Sequence, residues 1–153
     1  MNSLELKIPP AALMFVTGGL MWLVSWSLPA GAVVVPGRIL LAVTPAIAGA
    51  IVSALGVMAF RQASTTVNPM KPESTSSLVS SGLYRVSRNP MYLGFLLILL
   101  GWALFLANML VFLPLTGFLL YMNRFQIEPE ERALALRFGK SFATYTAEVR
   151  RWL

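Results

Sequence analysis

The residues of this chain whose types and spacing could do chemistry lie in two short segments. The first, 80–95, carries two arginines, two tyrosines and two glycines where a polar stretch meets a long apolar run. The second, 123–151, contains the adjacent acids Glu130 and Glu131. Charge is scarce elsewhere, because 12 of the 153 residues are Lys or Arg and only 6 are Asp or Glu. Polar groups at a membrane boundary are costly unless they are paired, so these clusters indicate a site.

The residue types that are missing exclude several kinds of site. Cysteine and histidine are both absent, which rules out disulfides, thiolate nucleophiles, Cys/His zinc sites and histidine acid–base catalysis. The acids that lie close together are Glu128, Glu130 and Glu131, and we expect no metal. The net charge of +6 comes from basic residues that flank apolar stretches, a pattern typical of membrane topology. We therefore expect no nucleic-acid partner.

The hydropathy pattern predicts an all-α integral membrane protein with one membrane-embedded domain, 1–153. The chain is 57% apolar and has a mean hydropathy of +0.71. Residues 91–122 carry no charge, but a single helix of that length would measure about 48 Å, against a hydrocarbon core of about 30 Å. We therefore predict a hairpin that turns near 107–109. The four predicted spans are about 11–28, 39–60, 91–107 and 109–122, with a polar loop at 61–90 and a cytoplasmic helical tail at 123–153.

Local signals predict how these elements begin, end and pack. Asn89 and Pro90 resemble an N-cap and first-turn pair, and Pro129 followed by two acids indicates a second helix start. Gly139 is expected to divide the tail into two short helices. Small residues of the second span, among them Gly49 and Ser53, permit close helix contact and leave a homodimer possible. An apolar stripe is predicted to pack the tail; it consists of Leu134, Phe138, Phe142, Tyr145 and Val149.

The basic residues predict the orientation of the chain. All of them except Arg38 fall on one side of the predicted spans, which places both termini in the cytoplasm of, we expect, a bacterial inner membrane. The spans themselves contain no Asp, Glu, Lys or Arg. A small proton-coupled transporter is expected to carry an ionisable group at mid-membrane, so the sequence argues against that function.

The two polar segments resemble a known family. Residues 82–94 read Gly-Leu-Tyr-Arg-Val-Ser-Arg-Asn-Pro-Met-Tyr-Leu-Gly, similar to the Gly-x-Tyr…Arg-His-Pro-x-Tyr-x-Gly signature of the isoprenylcysteine carboxyl methyltransferase and phospholipid methyltransferase superfamily. Residues 130–152 resemble its Glu-Glu-x-x-Leu…Phe-Gly…Tyr…Val…Arg-Trp pattern. Thr-Thr-Val-Asn-Pro at 65–69 is similar to bacterial members. The resemblance covers 61–153. The first two predicted spans are similar to the family only in their general character and not in any motif.

This resemblance implies a membrane methyltransferase that uses S-adenosylmethionine, with a lipid bilayer and a lipophilic methyl acceptor as its partners. A prenylcysteine carboxylate, a phospholipid amine and a small thiol all remain open as the acceptor. Arg124 and Glu131 are expected nearest the acceptor. The implied cofactor-binding residues are Tyr84, Arg88, Asn89, Pro90, Tyr92, Gly94, Glu130 and Glu131.

The chemistry of that cofactor fits these residue types. Arg88 or Arg85 can pair with its carboxylate, and Glu130 or Glu131 with its ammonium. The tyrosines can pack against the adenine or the sulfonium. Asn89 stands where histidine is commoner in the family, and an amide cannot titrate near neutral pH, so we do not expect a general base at this position. A carboxylate or thiolate acceptor needs orientation and desolvation more than a base, whereas an ammonium acceptor must first lose a proton to a glutamate, a tyrosine or water.

Simpler roles are open for the same residues. Asn89 can serve as a helix cap, and the glutamates can match a helix dipole. Arg85 and Arg88 can bind lipid phosphates, and Arg124 can snorkel. Arg150, Arg151 and Trp152 fit interfacial anchors. The alternative function is a non-catalytic membrane subunit that keeps the methyltransferase fold.

Overall fold

The computed structural model describes residues 4–63, 70, 72 and 75–153, and in this part of the chain the architecture is all-helical. Three helical segments, Pro10–Ser27, Arg38–Gln62 and Met109–Phe138, are long and apolar enough to cross a membrane. The prediction of an all-α integral membrane protein is confirmed. The α-helices are α1 (Pro10–Ser27), α2 (Arg38–Gln62), α3 (Pro90–Leu106), α4 (Phe112–Tyr121), α5 (Glu128–Phe138) and α6 (Lys140–Glu148).

The turn between α3 and α4 lies where the charge-free run was expected to fold back. Ala107 adopts a left-handed conformation with φ of +50°. The Asn108 side chain accepts the N–H of Leu110 at 2.9 Å and donates to the carbonyl of Leu28 at 3.0 Å. This asparagine therefore closes the hairpin and ties it to the end of α1. The apolar helix α3 itself has 17 residues.

Helices α2 and α3 approach closely through small residues. A Cβ on Gly94 would overlap Ser53 and the carbonyl of Gly49, and a Cβ on Gly56 would meet Met91 at 2.6 Å. Ser53 Oγ donates to the carbonyl of Met91 at 3.1 Å. The prediction that small residues of the second span permit close helix contact is confirmed, and the neighbour is α3 of the same chain. Gly49 and Gly56 are consequently buried against α3.

The tail differs from the expected arrangement at its beginning. The prediction that a new helix begins at Pro129 is wrong, because the chain is continuously helical from Met109 to Phe138. A π-helical turn, Met122–Ile127, joins α4 to α5. Proline lacks an N–H and clashes with the carbonyl four residues earlier in a regular α-helix, and the wider turn accommodates it. Glu130 and Glu131 therefore do not sit at a free helix N-terminus.

The end of the tail follows the prediction. Gly139, with φ of +49°, separates α5 from α6. Phe142, Tyr145 and Val149 are buried, and they pack with Leu134 and Phe138 and with Leu78 from the polar loop. The predicted packing of the apolar stripe is confirmed, and it folds α6 back against residues that precede α3.

The N-terminal segment is fastened to the same end of the bundle. The N–H of Leu6 donates to the carbonyl of Phe125 at 3.0 Å, a carbonyl to which Pro129 cannot donate. The Glu5 carboxylate pairs with Arg132 at 2.8 Å and approaches Arg124 at 3.9 Å. Side chains from both ends of the chain thus surround α5.

Candidate active site

A cavity lies where the end of α2, the start of α3, and helices α5 and α6 meet. The hairpin of α3 and α4 returns the chain to this end of the bundle, so two segments that are far apart in sequence face each other. Six of the residues predicted for the site line this cavity, namely Tyr84, Arg88, Asn89, Tyr92, Glu130 and Glu131.

Glu130 is held by two neutral donors. The Tyr92 hydroxyl donates to Glu130 Oε1 at 2.5 Å, and Gln126 Nε2 donates to the same oxygen at 2.5 Å. Tyr92 is only 4% exposed, so this donor is fixed by packing. Within the described residues, Glu130 forms no ion pair and its Oε2 receives no hydrogen bond. The carboxylate therefore presents one open oxygen to the cavity.

Glu131 is in a different electrostatic environment. Arg88 Nη2 lies 2.8 Å from Glu131 Oε1, and Arg151 donates to both oxygens, from Nε at 3.2 Å and from Nη2 at 2.6 Å. Two guanidinium groups thus surround one carboxylate. The adjacent acids are accordingly distinct, since two guanidinium groups balance the charge of Glu131, while Glu130 has no cationic partner among the described residues.

Arg88 joins the loop before α3 to the C-terminal segment. Its Nη1 donates to the carbonyls of Thr146 at 3.1 Å and Val149 at 2.9 Å. Its own N–H donates to the carbonyl of Arg150 at 2.9 Å. Its Nε is buried and has no hydrogen-bond partner in the part of the chain that the structure describes. One donor of this guanidinium therefore remains open.

Asn89 has the predicted position but not the predicted capping contact. It immediately precedes α3, yet its side chain makes no capping hydrogen bond, so the cap interpretation is wrong. Its Nδ2 instead donates to the carbonyl of Arg151 at 3.0 Å. Like a neutral imidazole, the amide supplies a donor here, and it uses that donor to hold the C-terminal segment.

Aromatic rings form the remaining wall of the cavity. Phe60 and Tyr84 meet edge to face with ring centroids 5.3 Å apart. The Tyr145 hydroxyl donates to the carbonyl of Tyr84 at 2.7 Å, and Phe142 lines the same wall. Burial raises the pKa of Tyr145 to about 12, and it raises the pKa of Tyr84 even further above the ordinary value of 10. Both phenols are therefore neutral over the physiological range.

The match with known proteins agrees with this geometry. The family model for phospholipid methyltransferases matches residues 37–141, well over half of the chain. The chain belongs to the phospholipid methyltransferase family. An uncharacterized protein of Haemophilus influenzae is similar to it, with 49% identity over 63 residues that make up 41% of this chain and 100% of that protein. No solved structure matches the chain.

In this phospholipid methyltransferase family member, three of the predicted site residues do not line the cavity. Arg124 is exposed and pairs with Glu128 at 3.0 Å. Pro90 is buried in the first turn of α3, and Gly94 packs against α2. Arg85 is exposed and also lies outside the lining. The bacterial-type segment at 65–69 lies outside the described residues.

Sequence reasoning missed several residues of the site. Arg151 was interpreted as an interfacial anchor, but it pairs with Glu131, and Trp152 Nε1 donates to Asn123 Oδ1 at 3.0 Å. The Arg-Trp element of the family pattern was the signal that could have identified this role. Tyr145 was assigned to packing alone although it also lines the cavity. Gln126 carried no signal, because nothing in its neighbourhood indicates the π-helical turn that brings it to Glu130.

Proposed function

We propose that this chain transfers a methyl group from S-adenosylmethionine to a lipophilic acceptor at the cytoplasmic face of the membrane. The observation that supports this best is the cavity, where Glu130 presents an open carboxylate oxygen among aromatic rings. Its lining combines both segments that resemble the methyltransferase signature. Membership of the phospholipid methyltransferase family supports methyl transfer as the reaction type.

The residues around the cavity fit the chemical groups of the cofactor. Glu130 suits the ammonium, and the faces of Tyr84, Phe142 and Tyr145 suit the sulfonium by cation–π attraction. The buried, unpartnered Nε of Arg88 suits a carboxylate oxygen. When bound, S-adenosylmethionine would supply a methyl group that is already activated for displacement.

The contribution of the chain in this proposal is binding, orientation and exclusion of water. Tyr92 and Gln126 fix one oxygen of Glu130, which leaves the other for a cation at a set position. Apolar side chains such as Leu78 and Leu134 keep water from the cavity and strengthen that electrostatic contact. Glu131 acts on the arginines Arg88 and Arg151 and not directly on the acceptor.

A lipophilic acceptor is proposed because the cavity lies at the ends of apolar helices. Phe60 near the end of α2 and Met91 at the start of α3 belong to its lining. A prenylcysteine carboxylate, a phospholipid amine and a small thiol are the acceptor classes to compare.

Binding of S-adenosylhomocysteine to purified protein, measured by calorimetry in detergent and in lipid nanodiscs, tests the proposal. We expect saturable binding to the wild type and binding about tenfold weaker in Glu130→Gln, because a charge-assisted contact is lost. Glu128→Gln is the matched control, since Glu128 pairs with Arg124 outside the cavity. It should bind as the wild type does. Absence of saturable binding in both media would overturn the proposal and favour the non-catalytic subunit.

A methyl-transfer assay then distinguishes the acceptor classes. Protein incubated with methyl-labelled S-adenosylmethionine is supplied with membrane lipids, a prenylcysteine or a small thiol in separate reactions. Label in one class of product, lost in Glu130→Gln and kept in Glu128→Gln, identifies the acceptor.

A further inference from the structure

A second concave surface lies on the lipid-facing side of α1, α2 and α3, away from the active-site cavity. Its lining is entirely apolar and includes Gly19 and Trp22 from α1, Ala46 from α2, and Leu99 and Trp102 from α3. The indole N–H of Trp102 already donates to the carbonyl of Gly18 at 3.1 Å. We call this surface the α1–α3 groove. It suits a hydrocarbon chain, because its side chains are apolar and the Trp102 N–H is already used within the bundle.

An arginine stands at one end of the α1–α3 groove. Arg38 is the first residue of α2, and its Cζ lies 5.8 Å from the centroid of the Phe105 ring, which lines the groove. Arg38 also lines an adjoining apolar hollow that shares Val43 with the groove. It forms no ion pair with any acid among the described residues. An exposed guanidinium without an acidic partner complements a phosphate.

We propose that the α1–α3 groove binds one glycerophospholipid, whose phosphodiester is held by Arg38. The groove and the adjoining hollow, which meet at Val43, receive its two acyl chains. A phospholipid fits both features at once, because hydrocarbon matches the lining and the phosphodiester matches the arginine. The charge complementarity also separates this site from the ordinary lipid that surrounds any membrane helix.

This lipid is not the methyl acceptor in its bound position. Arg38 begins α2 and Phe60, near its other end, lines the active-site cavity. From residue 38 to residue 60 a helix rises about 33 Å, roughly the thickness of the hydrocarbon core. A headgroup at Arg38 is thus at the opposite end of the bundle from Glu130, and the proposal is independent of the methyl-transfer function.

Native mass spectrometry of the delipidated protein tests the groove. The probes are palmitoyl-oleoyl phosphatidylglycerol and palmitoyl-oleoyl glycerol, which share acyl chains and differ in the phosphoglycerol headgroup. We expect the wild type to retain one phosphatidylglycerol and to lose the diacylglycerol. Arg38→Gln should weaken retention of phosphatidylglycerol about tenfold, because a charge-assisted contact to the phosphate is removed.

The shape of the groove is tested with a matched pair of glycines. Gly19 and Gly117 are both exposed, and a Cβ on either would have no neighbour within 4 Å. Gly19 lines the groove, whereas Gly117 lies on α4 outside it. Gly19→Leu should fill the groove and abolish retention, and Gly117→Leu should retain the lipid as the wild type does.

Three results would each overturn the proposal: equal retention of the two probes by the wild type, unchanged retention in Arg38→Gln, or the same retention in both glycine variants. Arg38 is exposed, so Arg38→Gln leaves the helix packing intact and decides the question even if Gly19→Leu does not fold.

Discussion

Arg151 and Glu131, 20 residues apart in sequence, form a two-point ion pair, with Nε 3.2 Å from Oε1 and Nη2 2.6 Å from Oε2. The carbonyl of Arg151 also accepts a hydrogen bond from Asn89 at 3.0 Å. Through these contacts the last residues of the chain join α5 to the segment before α3. The C-terminal segment is therefore part of the site architecture and connects both halves of the family signature.

Replacement of Arg151 should destabilise this closure. In Arg151→Gln, Glu131 keeps Arg88 but loses its two-point partner, and we expect a loss of about 1–3 kcal/mol in the free energy of unfolding. Arg150→Gln is the matched control, because Arg150 is exposed and its guanidinium forms no ion pair among the described residues. Thermal unfolding in detergent measures both variants. Equal midpoints for the two would show that the pair contributes nothing to stability.

The hydroxyl of Tyr92 should matter far more than that of Tyr121. Tyr92→Phe removes one of the two donors that hold Glu130 Oε1, and we expect a loss of about 1–2 kcal/mol in stability together with weaker S-adenosylhomocysteine binding. The Tyr121 hydroxyl is buried without a hydrogen-bond partner in the described part of the chain. Tyr121→Phe should therefore be neutral or stabilising. Calorimetry and thermal unfolding of both variants measure these effects. A neutral Tyr92→Phe beside a destabilised Tyr121→Phe would refute the assigned role of Tyr92.

The sequence predicted the elements of the site better than their contacts. Charge-free runs located the helices, and the turn near Asn108 followed from the thickness of the membrane. The two signature segments meet, and six of the predicted residues line one cavity. These successes rest on hydropathy and on local residue types, both of which are read directly from neighbouring positions.

The contacts that sequence reasoning missed depend on long-range geometry. The sequence could not show which of Glu130 and Glu131 forms ion pairs, because Arg151 reaches Glu131 only after α6 folds back. Gln126 reaches Glu130 through a π-helical turn, which local propensities do not indicate. The position of Asn89 before Pro90 predicted a helix cap, but its side chain donates to the distant carbonyl of Arg151 and makes no capping hydrogen bond.

A methyl group at Gly94 should disrupt the contact between α2 and α3. Its Cβ would overlap the carbonyl of Gly49 and the Ser53 side chain, so both helices would have to separate. We expect Gly94→Ala to lower the free energy of unfolding by about 1–3 kcal/mol, as overpacking does elsewhere. Gly117→Ala is the control, since its Cβ meets nothing within 4 Å, and the gain in helix propensity should leave it neutral or stabilised by up to about 1 kcal/mol. Thermal unfolding compares the two, and an unaffected Gly94→Ala would contradict the close packing.

Loss of the Glu5 carboxylate should release the N-terminal segment without weakening ligand binding at the proposed site. The side chain of Glu5 is 4% exposed and pairs with Arg132 at 2.8 Å, while Leu6 donates its N–H to the carbonyl of Phe125. Glu5→Gln removes the ion pair, so we expect faster amide hydrogen exchange at Leu6 and its neighbours. Glu148→Gln, which changes an exposed acid with no ion pair among the described residues, should leave that exchange unchanged.

The same Glu5→Gln variant separates docking of this segment from the proposed cofactor binding. Glu5 does not line the candidate active-site cavity, and its partner Arg132 lies outside the lining as well. S-adenosylhomocysteine binding should therefore stay within about twofold of the wild type, a difference of about 0.4 kcal/mol. If exchange at Leu6 and ligand binding both changed strongly, the N-terminal segment would be coupled to the site through α5, because Glu5 pairs with Arg132 of α5 and the same helix carries Glu130. If exchange at Leu6 did not change at all, the ion pair with Arg132 would not be what holds the segment in place.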